Sequence, residues 1–364
     1  MIESFFLANS ADQIQKSWVE KNLLAAEIMG IDAHRKLRPE LIGDRTRMDL
    51  MWFENKLGIR GPTKNNDFKF DFFEMKNPDT AHPGIIEMMS FFRNDPLPES
   101  LAQIRFRFHP QSGNAGIWLD IANESIKNLL EEESWIRRLL KNNWSLEMGQ
   151  KGKAATITDA GEIEYQEAIP QPWMDSYTFE NEPIELLSKI AHFSQPGPEA
   201  NRNLIAAAYD LMDYFEVKPK NFTEFGAGYG NLTAAIASGI KGSSWASELD
   251  RDMSLSLEIN QKMYFKNVAV TQSKADSRIQ KLQDFDLCLI DPPRPGFADF
   301  FTGLKQLAAH SLPKYFLCCH CHNRGLLSDS QSLKSLSYKL LGWSSVDIFP
   351  ATLHHEVFSL WELS

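Results

Sequence analysis

Cysteine is scarce in this chain and confined to its last quarter. The four residues are Cys288, Cys318, Cys319 and Cys321. Three of them crowd within four positions, too close to frame a set of structural disulfides, so free thiols in a reducing compartment are expected. Long apolar runs are also missing. The N-terminal "FFLA" sits behind Glu3 and is too short and wrongly flanked for a signal peptide or membrane span. A cytoplasmic protein with no membrane partner is the expectation. No internal repeat or low-complexity tract stands out. Positive charge is the minority: 38 Lys and Arg against 48 Asp and Glu leave a net −10. That balance argues against indiscriminate coating of nucleic acid but leaves room for a local basic face. One such face lies between His34 and Arg47, where Arg35, Lys36, Arg38, Arg45 and Arg47 outnumber Glu40 and Asp44; an ordinary solvated loop is the alternative. What the chain does have is apolar residues, 43% of 364, enough for a large core and two domains.

Residues 13–29 place Trp18, Leu23, Leu24, Ala26 and Ile28 among polar residues at roughly helical spacing, which predicts an amphipathic helix. The runs "RMDLMWFEN", "KLGIR", "FKFDFFEM", "IRFRFH" and "GIWLDIA" then read as strands of an antiparallel sheet, with a helix over 122–143, so the N-terminal part is α+β. Breaks rich in Pro and polar or acidic residues fall at 167–183 and 194–201. From about 200, helices expected over 201–215, 229–239, 250–264, 298–311 and 326–341 alternate with apolar strands. A final strand pair, "SSVDIF" and "EVFSLWEL", closes the chain. This pattern predicts a doubly wound, Rossmann-like α/β domain whose ligands sit at the C-terminal ends of its strands. The expected division is 1–180, a linking segment 181–200, and the α/β domain 201–364.

The first strand of that domain runs into "EFGAGYGN", residues 224–231. Its glycines Gly226 and Gly228 let backbone approach a ligand, and the helix opening near Asn231 presents its N-terminus. Glu248 closes the next strand, where a carboxylate accepts both hydroxyls of a ribose; a surface acid is the bland alternative. With Asp276 in "ADSR" after the third strand and "LIDPPRPG" (289–296) after the fourth, the series fits S-adenosylmethionine better than a nicotinamide cofactor. The two prolines of "DPPRPG" fix the loop that carries Asp291 and Arg294. In "FLCCHCH" (316–322), strand alternation puts Cys319 and Cys321 on one face and Cys318, His320 and His322 on the other. One strand does not wrap a tetrahedral zinc, and no second CxxC or HxxxH occurs, so no metal is expected. Cys318 and Cys319 also read as plain core; Cys321 falls at the ligand-facing edge.

These motifs in this order resemble the S-adenosylmethionine-dependent RNA uracil-5-methyltransferases. The likeness covers about the last 175 residues: "FSQPGPEAN" (193–201), "GYGN" (228–231), Glu248, "DPPRPG", and "DIFPATLHHE" (347–356), which is similar to a Phe-Pro-x-Thr-x-His-x-Glu signature. The resemblance implies a Rossmann-like methyltransferase domain and a nucleophilic cysteine eight residues before an acid or polar residue that opens the next helix. Counted back from Asp329 this is Cys321; a two-residue slip makes it Cys319. His320, His322 and Asn323 stand where the family has a Ser-Cys-Asn-Pro turn, and Gly226 stands where it has an aromatic residue. The N-terminal region, by the same resemblance, recognises RNA. It lacks the cysteines of an iron–sulfur cluster, and "DRTRMDLMWF" (44–53) resembles the branch that makes ribothymidine (5-methyluridine) in the transfer-RNA T-loop, with Arg45 and Arg47 as phosphate contacts.

The implied chemistry needs a thiolate at C6 of uracil, because C5 is too poor a nucleophile to take a methyl group directly. Cys321 is expected to attack, Arg294 to stabilise the charge on the ring carbonyl, and Glu356 to remove the C5 proton. Gln195, Gly226, Gly228, Asn231, Glu248, Asp276 and Asp291 are the expected cofactor contacts, and a monomer acting on transfer RNA, or else ribosomal RNA, is the expected state. A catalytically silent RNA binder and an amine-directed methyltransferase are the rival readings.

Overall fold

The computed structural model describes residues 11–37, 43–60, 72–98, 101–121, 127, 129–149, 152–349 and 354–364. Helix α1 (Ala11–Met29) and strand β1 (Arg35–Leu37) open it. Then follow β2 (Arg47–Phe53), β3 (Lys56–Arg60), β4 (Phe72–Glu74), α2 (Pro83–Asn94), β5 (Leu101–Phe108), β6 (Ala115–Asp120), α3 (Glu133–Leu140), β7 (Ser145–Met148), β8 (Lys153–Ile157) and β9 (Ile163–Glu167). Strands β2 to β9 form one sheet in the order β4-β3-β2-β5-β6-β7-β8-β9. Alternation along β2 and β5 explains its two faces. Met48, Leu50, Trp52, Ile104 and Phe106 point to a core shared with Ile85, Met88, Met89 and Phe92 of α2. Arg47, Asp49, Arg105 and Arg107 occupy the other face. The sheet is mixed rather than antiparallel, because the α3 crossover brings β7 in parallel to β6. Of the helix expected over 122–143, the described part ends at Leu140.

The second half begins with a hairpin, β10 (Gln171–Tyr177) and β11 (Pro183–Ser188), in the stretch expected to be a break. Met174, Tyr177 and Leu186 anchor it to the second core. There follow α4 (Pro198–Tyr214), β12 (Phe222–Phe225), α5 (Asn231–Ser238), β13 (Ser244–Glu248), α6 (Arg251–Tyr264), β14 (Val268–Gln272), a 3₁₀ segment (Ala275–Asp284) and β15 (Leu287–Ile290). The chain ends with α7 (Ala298–Leu304), β16 (Tyr315–His320), α8 (Asn323–Ser335), β17 (Tyr338–Val346) and β18 (Glu356–Leu363). Their sheet runs β1-β17-β18-β16-β15-β12-β13-β14, parallel except for β18, which is antiparallel to both neighbours. Hydrophobic cores on its two faces make it doubly wound, as expected.

Several boundaries differ from the sequence reading; α4, for one, starts at Pro198 rather than at 201. The helix expected to run to 311 stops at Leu304, and only a short 3₁₀ turn (Ala309–Ser311) follows. The last helix starts three residues earlier than expected, at Asn323, and ends at Ser335. Residues 338–341, expected as helix, already belong to β17, since Ser337 at φ 68° turns the chain. Helix α1 and β1, grouped by sequence with the N-terminal region, pack on the C-terminal sheet: β1 pairs in parallel with β17, and Ala25 and Met29 enter the core beside α8. The buried face of α1 is Trp18, Lys21, Ala25 and Met29, leaving Leu23 and Leu24 exposed.

Candidate active site

Of the expected cofactor residues, Gly226, Gly228, Glu248 and Asp291 fall at the C-terminal ends of β12, β13 and β15. Gly226, Gly228 and Gly230 all have positive φ (81°, 59° and 104°), so the turn from β12 to α5 adopts a path that favours glycine. At Gly226 a Cβ would lie 2.7 Å from the Asp291 carbonyl oxygen, which explains why no aromatic residue stands there. Glu248 grips the turn: its Oε2 accepts the Gly228 N–H at 2.8 Å and its Oε1 accepts the Asp250 N–H at 2.8 Å. Asp291 closes β15, and burial, with Glu248 next, pushes its carboxyl up to about 7. Gln195 is buried and its Oε1 has no hydrogen-bond partner. Asn231 departs from expectation: its amide exchanges hydrogen bonds with Asn201 (2.9 and 2.7 Å), so the side chain locks α5 to α4 and leaves the ligand side to the backbone. The side chain of Asp276 lies outside the described residues.

The second cluster lies one strand further along the sheet. Alternation along β16 holds: Cys319 belongs to one core and Cys318 to the other. Cys319 is fully buried and its Sγ donates to Glu356 Oε2 at 3.6 Å. Cys321 lies just beyond the strand and is the half-buried thiol among three buried ones. Burial, with Glu356 and Asp291 next, pushes its thiol up to about 12, and Arg294 acts in the opposite direction. Glu356 opens β18 and is buried; burial, and then Asp291, hold its carboxyl well above the usual carboxylate range. Arg294 is exposed in the "DPPRPG" loop.

The helix after Cys321 does not open at Asp329, as the residue count assumed. It opens at Asn323, capped by His322, whose Nδ1 accepts the Arg324 N–H at 3.0 Å, and Asp329 sits fully buried inside α8. Of the signature before Glu356, Pro350 and Thr352 lie outside the described residues. Phe349 faces His354 (6.5 Å between ring centroids) and His354 faces His322 (5.9 Å), forming an arc that ends at the Cys321 turn. Arg45 lies over Phe349 at 5.8 Å. Arg47 lies over the exposed Phe193 ring at 4.3 Å and also holds Ser194 O and Asp49. Both arginines already make internal contacts. A His109–Asp175–Glu185 trio, away from the strand cysteines, has ligand atoms close enough to share an ion, but both His109 nitrogens are engaged, by Ser112 and Asp175.

Sequence reasoning passed over several residues that build this site. Asn201 and Asp329 were counted as motif markers without roles, and Lys21 sits in a helix that gave no sign of reaching the cleft. Lys21 pairs with Asp347 at 2.6 Å, both fully buried, and donates to Phe349 O at 2.9 Å. Only fold-level proximity joins these residues.

The fold and the glycine-turn, Glu248 and Asp291 geometry define a Rossmann-like methyltransferase. No protein-family model matches the chain. An uncharacterized RNA methyltransferase (Bd2056) of Bdellovibrio bacteriovorus is 29% identical over 325 residues, covering 87% of this chain and 80% of that protein. The 23S rRNA (uracil(1939)-C(5))-methyltransferase RlmD of Haemophilus parainfluenzae is 28% identical over 183 residues, 49% of this chain and 40% of that enzyme. The crystal structure of Pyrococcus abyssi tRNA (uracil-54, C5)-methyltransferase superposes with a TM-score of 0.68 over 95% of this chain and 83% of that one, at 15% identity, a likeness of fold. The relatives of this chain are RNA methyltransferases, and those whose target is named act on C5 of uracil, in line with the motifs. The residues present fit S-adenosylmethionine: the glycine turn admits close backbone approach, while Glu248, Asp291 and the unpartnered Gln195 Oε1 offer acceptors to a cationic ligand with ribose hydroxyls.

Proposed function

We propose that this protein methylates C5 of a uridine in RNA, transfer RNA first among candidates, through a covalent bond between Cys321 and C6 of the base. The observation that carries the reading is the position of Cys321: the half-buried thiol, just past β16, with Arg294, Asp291 and Glu356 acting on it. S-adenosylmethionine supplies an electrophilic methyl group. In the free protein the thiol is held protonated, and Arg294 is the neighbour that favours the anion. Once the thiolate adds to C6, negative charge spreads to the ring carbonyl, where a guanidinium supplies donors. C5, now electron-rich, takes the methyl group as the methyl–sulfur bond breaks with its electron pair left on sulfur, and it then carries both methyl and proton. Glu356 takes the proton, the electron pair restores the C5–C6 double bond, and the thiolate leaves. A stacked base exposes neither face to such attack, so the uridine is flipped from its loop. Arg45, which lies over Phe349 of the segment leading to Glu356, and Arg47 are the proposed contacts for the phosphate backbone. The RlmD relatives, which this chain covers for about two-fifths of their length, favour ribosomal RNA as the second candidate substrate.

RNA carrying 5-fluorouridine has no removable proton at C5, so the adduct is expected to stall and survive denaturing electrophoresis. Cys321→Ala is expected to abolish the band and Cys319→Ala to keep it; the reverse pattern moves the nucleophile into the strand. A wild-type protein yielding neither adduct nor 5-methyluridine on unmodified transfer or ribosomal RNA overturns the reading in favour of a silent RNA binder.

A further inference from the structure

Around Cys321 this chain departs from its family's turn, and each departure has a place in the structure. His322 caps α8. His320 ends β16 on the face opposite Cys319, and its Nε2 meets Asp329 Oδ2 at 3.0 Å, both side chains being buried. Both oxygens of Asp329 accept the Phe297 N–H at 3.1 Å, at the end of the "DPPRPG" loop. The fit there is close. Gly296 has φ 91°, and a Cβ on it would lie 2.5 Å from Asp329 Oδ1; a Cβ on Gly325 of α8 would lie 2.9 Å from Arg294 O and 3.1 Å from Gly296 N. The loop is further closed on itself by the Gly296 N–H donating to Pro293 O at 2.8 Å.

We propose that the buried His320–Asp329 pair is a positioning device: by fixing Phe297 and Gly296 against α8, it holds the Arg294 guanidinium beside the Cys321 thiol. Neither residue touches the reacting atoms. The chain runs from strand to helix to loop, so the residue that replaces the family's serine supports the loop opposite the nucleophile. The inference rests on the reading of Cys321 as nucleophile. The groups facing that thiol are Arg294 and Asp291 from the loop after β15 and Glu356 from β18, and of these Arg294 alone favours the anion. Releasing the loop therefore disfavours the thiolate.

The test is the rate of iodoacetamide alkylation of Cys321 against pH, which needs neither RNA nor cofactor, with Cys321→Ser confirming the site by mass spectrometry. The other three thiols are buried. Arg294→Met is expected to slow alkylation at a fixed pH by about three- to tenfold, the effect of losing one exposed, solvent-screened unit charge that favours the thiolate. Asp329→Ala is expected to slow it similarly, and Asp329→Asn, which keeps an acceptor for Phe297 and a partner for His320, to stay within about twofold of wild type. In the Arg294→Met background Asp329→Ala is expected to add nothing. Should Asp329→Ala lose its thermal melting transition, His320→Ser breaks the same pair while sparing the Phe297 contact and carries the same expectation. Multiplying effects in the double variant, an unchanged rate in Arg294→Met, or unchanged rates in both pair variants overturn the proposal. Absence of a fluorouridine adduct in the wild type strikes the functional reading instead and leaves these rates readable.

Discussion

At the scale of single residues the proposed chemistry turns on Glu356. Its burial and the neighbouring Asp291 favour the protonated form in the free protein, so the proposed base works only after that proton has left. Rate at limiting RNA is therefore expected to climb with pH. Glu356→Gln keeps size and hydrogen bonding but loses the basic oxygen. Addition and methyl transfer are expected to proceed in that variant while release stops, giving a covalent complex with ordinary uridine RNA that already carries the methyl. Turnover is expected to fall by about 10²–10⁴, the usual effect of removing a general base. Normal turnover would pass the role to His354 or His355. The strand-end places of Gly228, Glu248 and Asp291 were legible in the sequence because such positions in an alternating α/β pattern fall together, whereas Glu356 was reached through its resemblance to a family signature. His320, Asn201 and Lys21 were not, because their partners lie 9, 30 and 326 residues away, with no periodicity linking them.

At the scale of elements, α1 is the clearest case where local pattern and fold disagree. Helical spacing and composition located the helix but not its inward face. The position of Asp347 at the end of β17 turns Lys21 inward and leaves Leu23 66% exposed. The helix thus reaches the segment that leads to Glu356. A buried ion pair repays its desolvation only while both partners are present, and removing one typically costs about 3–5 kcal/mol. Lys21→Met is expected to lower unfolding free energy by about that much in urea titrations. The double variant Lys21→Met/Asp347→Asn is expected to recover part of the loss. Equal and additive effects would show that the pair contributes no coupling. The strands of the N-terminal sheet were legible as short aromatic runs, whereas its parallel β6–β7 pair was not, since direction depends on the crossover and leaves no mark within either strand.

At the scale of the whole molecule, the polar face of the N-terminal sheet grips the segment that leads into Gln195. Arg105 donates to Ala191 O at 2.9 Å, Arg107 to His192 O at 3.3 Å and to Asp49 at 2.8 Å, and Arg47 to Ser194 O. Glu147 on β7 joins them by accepting the Ile190 N–H at 3.1 Å, its other oxygen being buried without a partner. Burial pushes the Glu147 carboxyl up to about 7. Because the folded state holds this proton more tightly than the unfolded chain, the contribution of Glu147 to stability is fully present below about 4.5 and is lost as pH rises through about 7. Glu147→Gln mimics the protonated form. It is expected to be the more stable protein at pH 8, by something on the order of 2–3 kcal/mol, and to match wild type near pH 5. The comparison is a pair of urea titrations at the two pH values. A variant less stable than wild type at pH 8 would mean that the ionised carboxylate is welcome there, held by Arg107 and Lys189, and that the join between the N-terminal sheet and the segment 190–194 strengthens with rising pH instead of loosening.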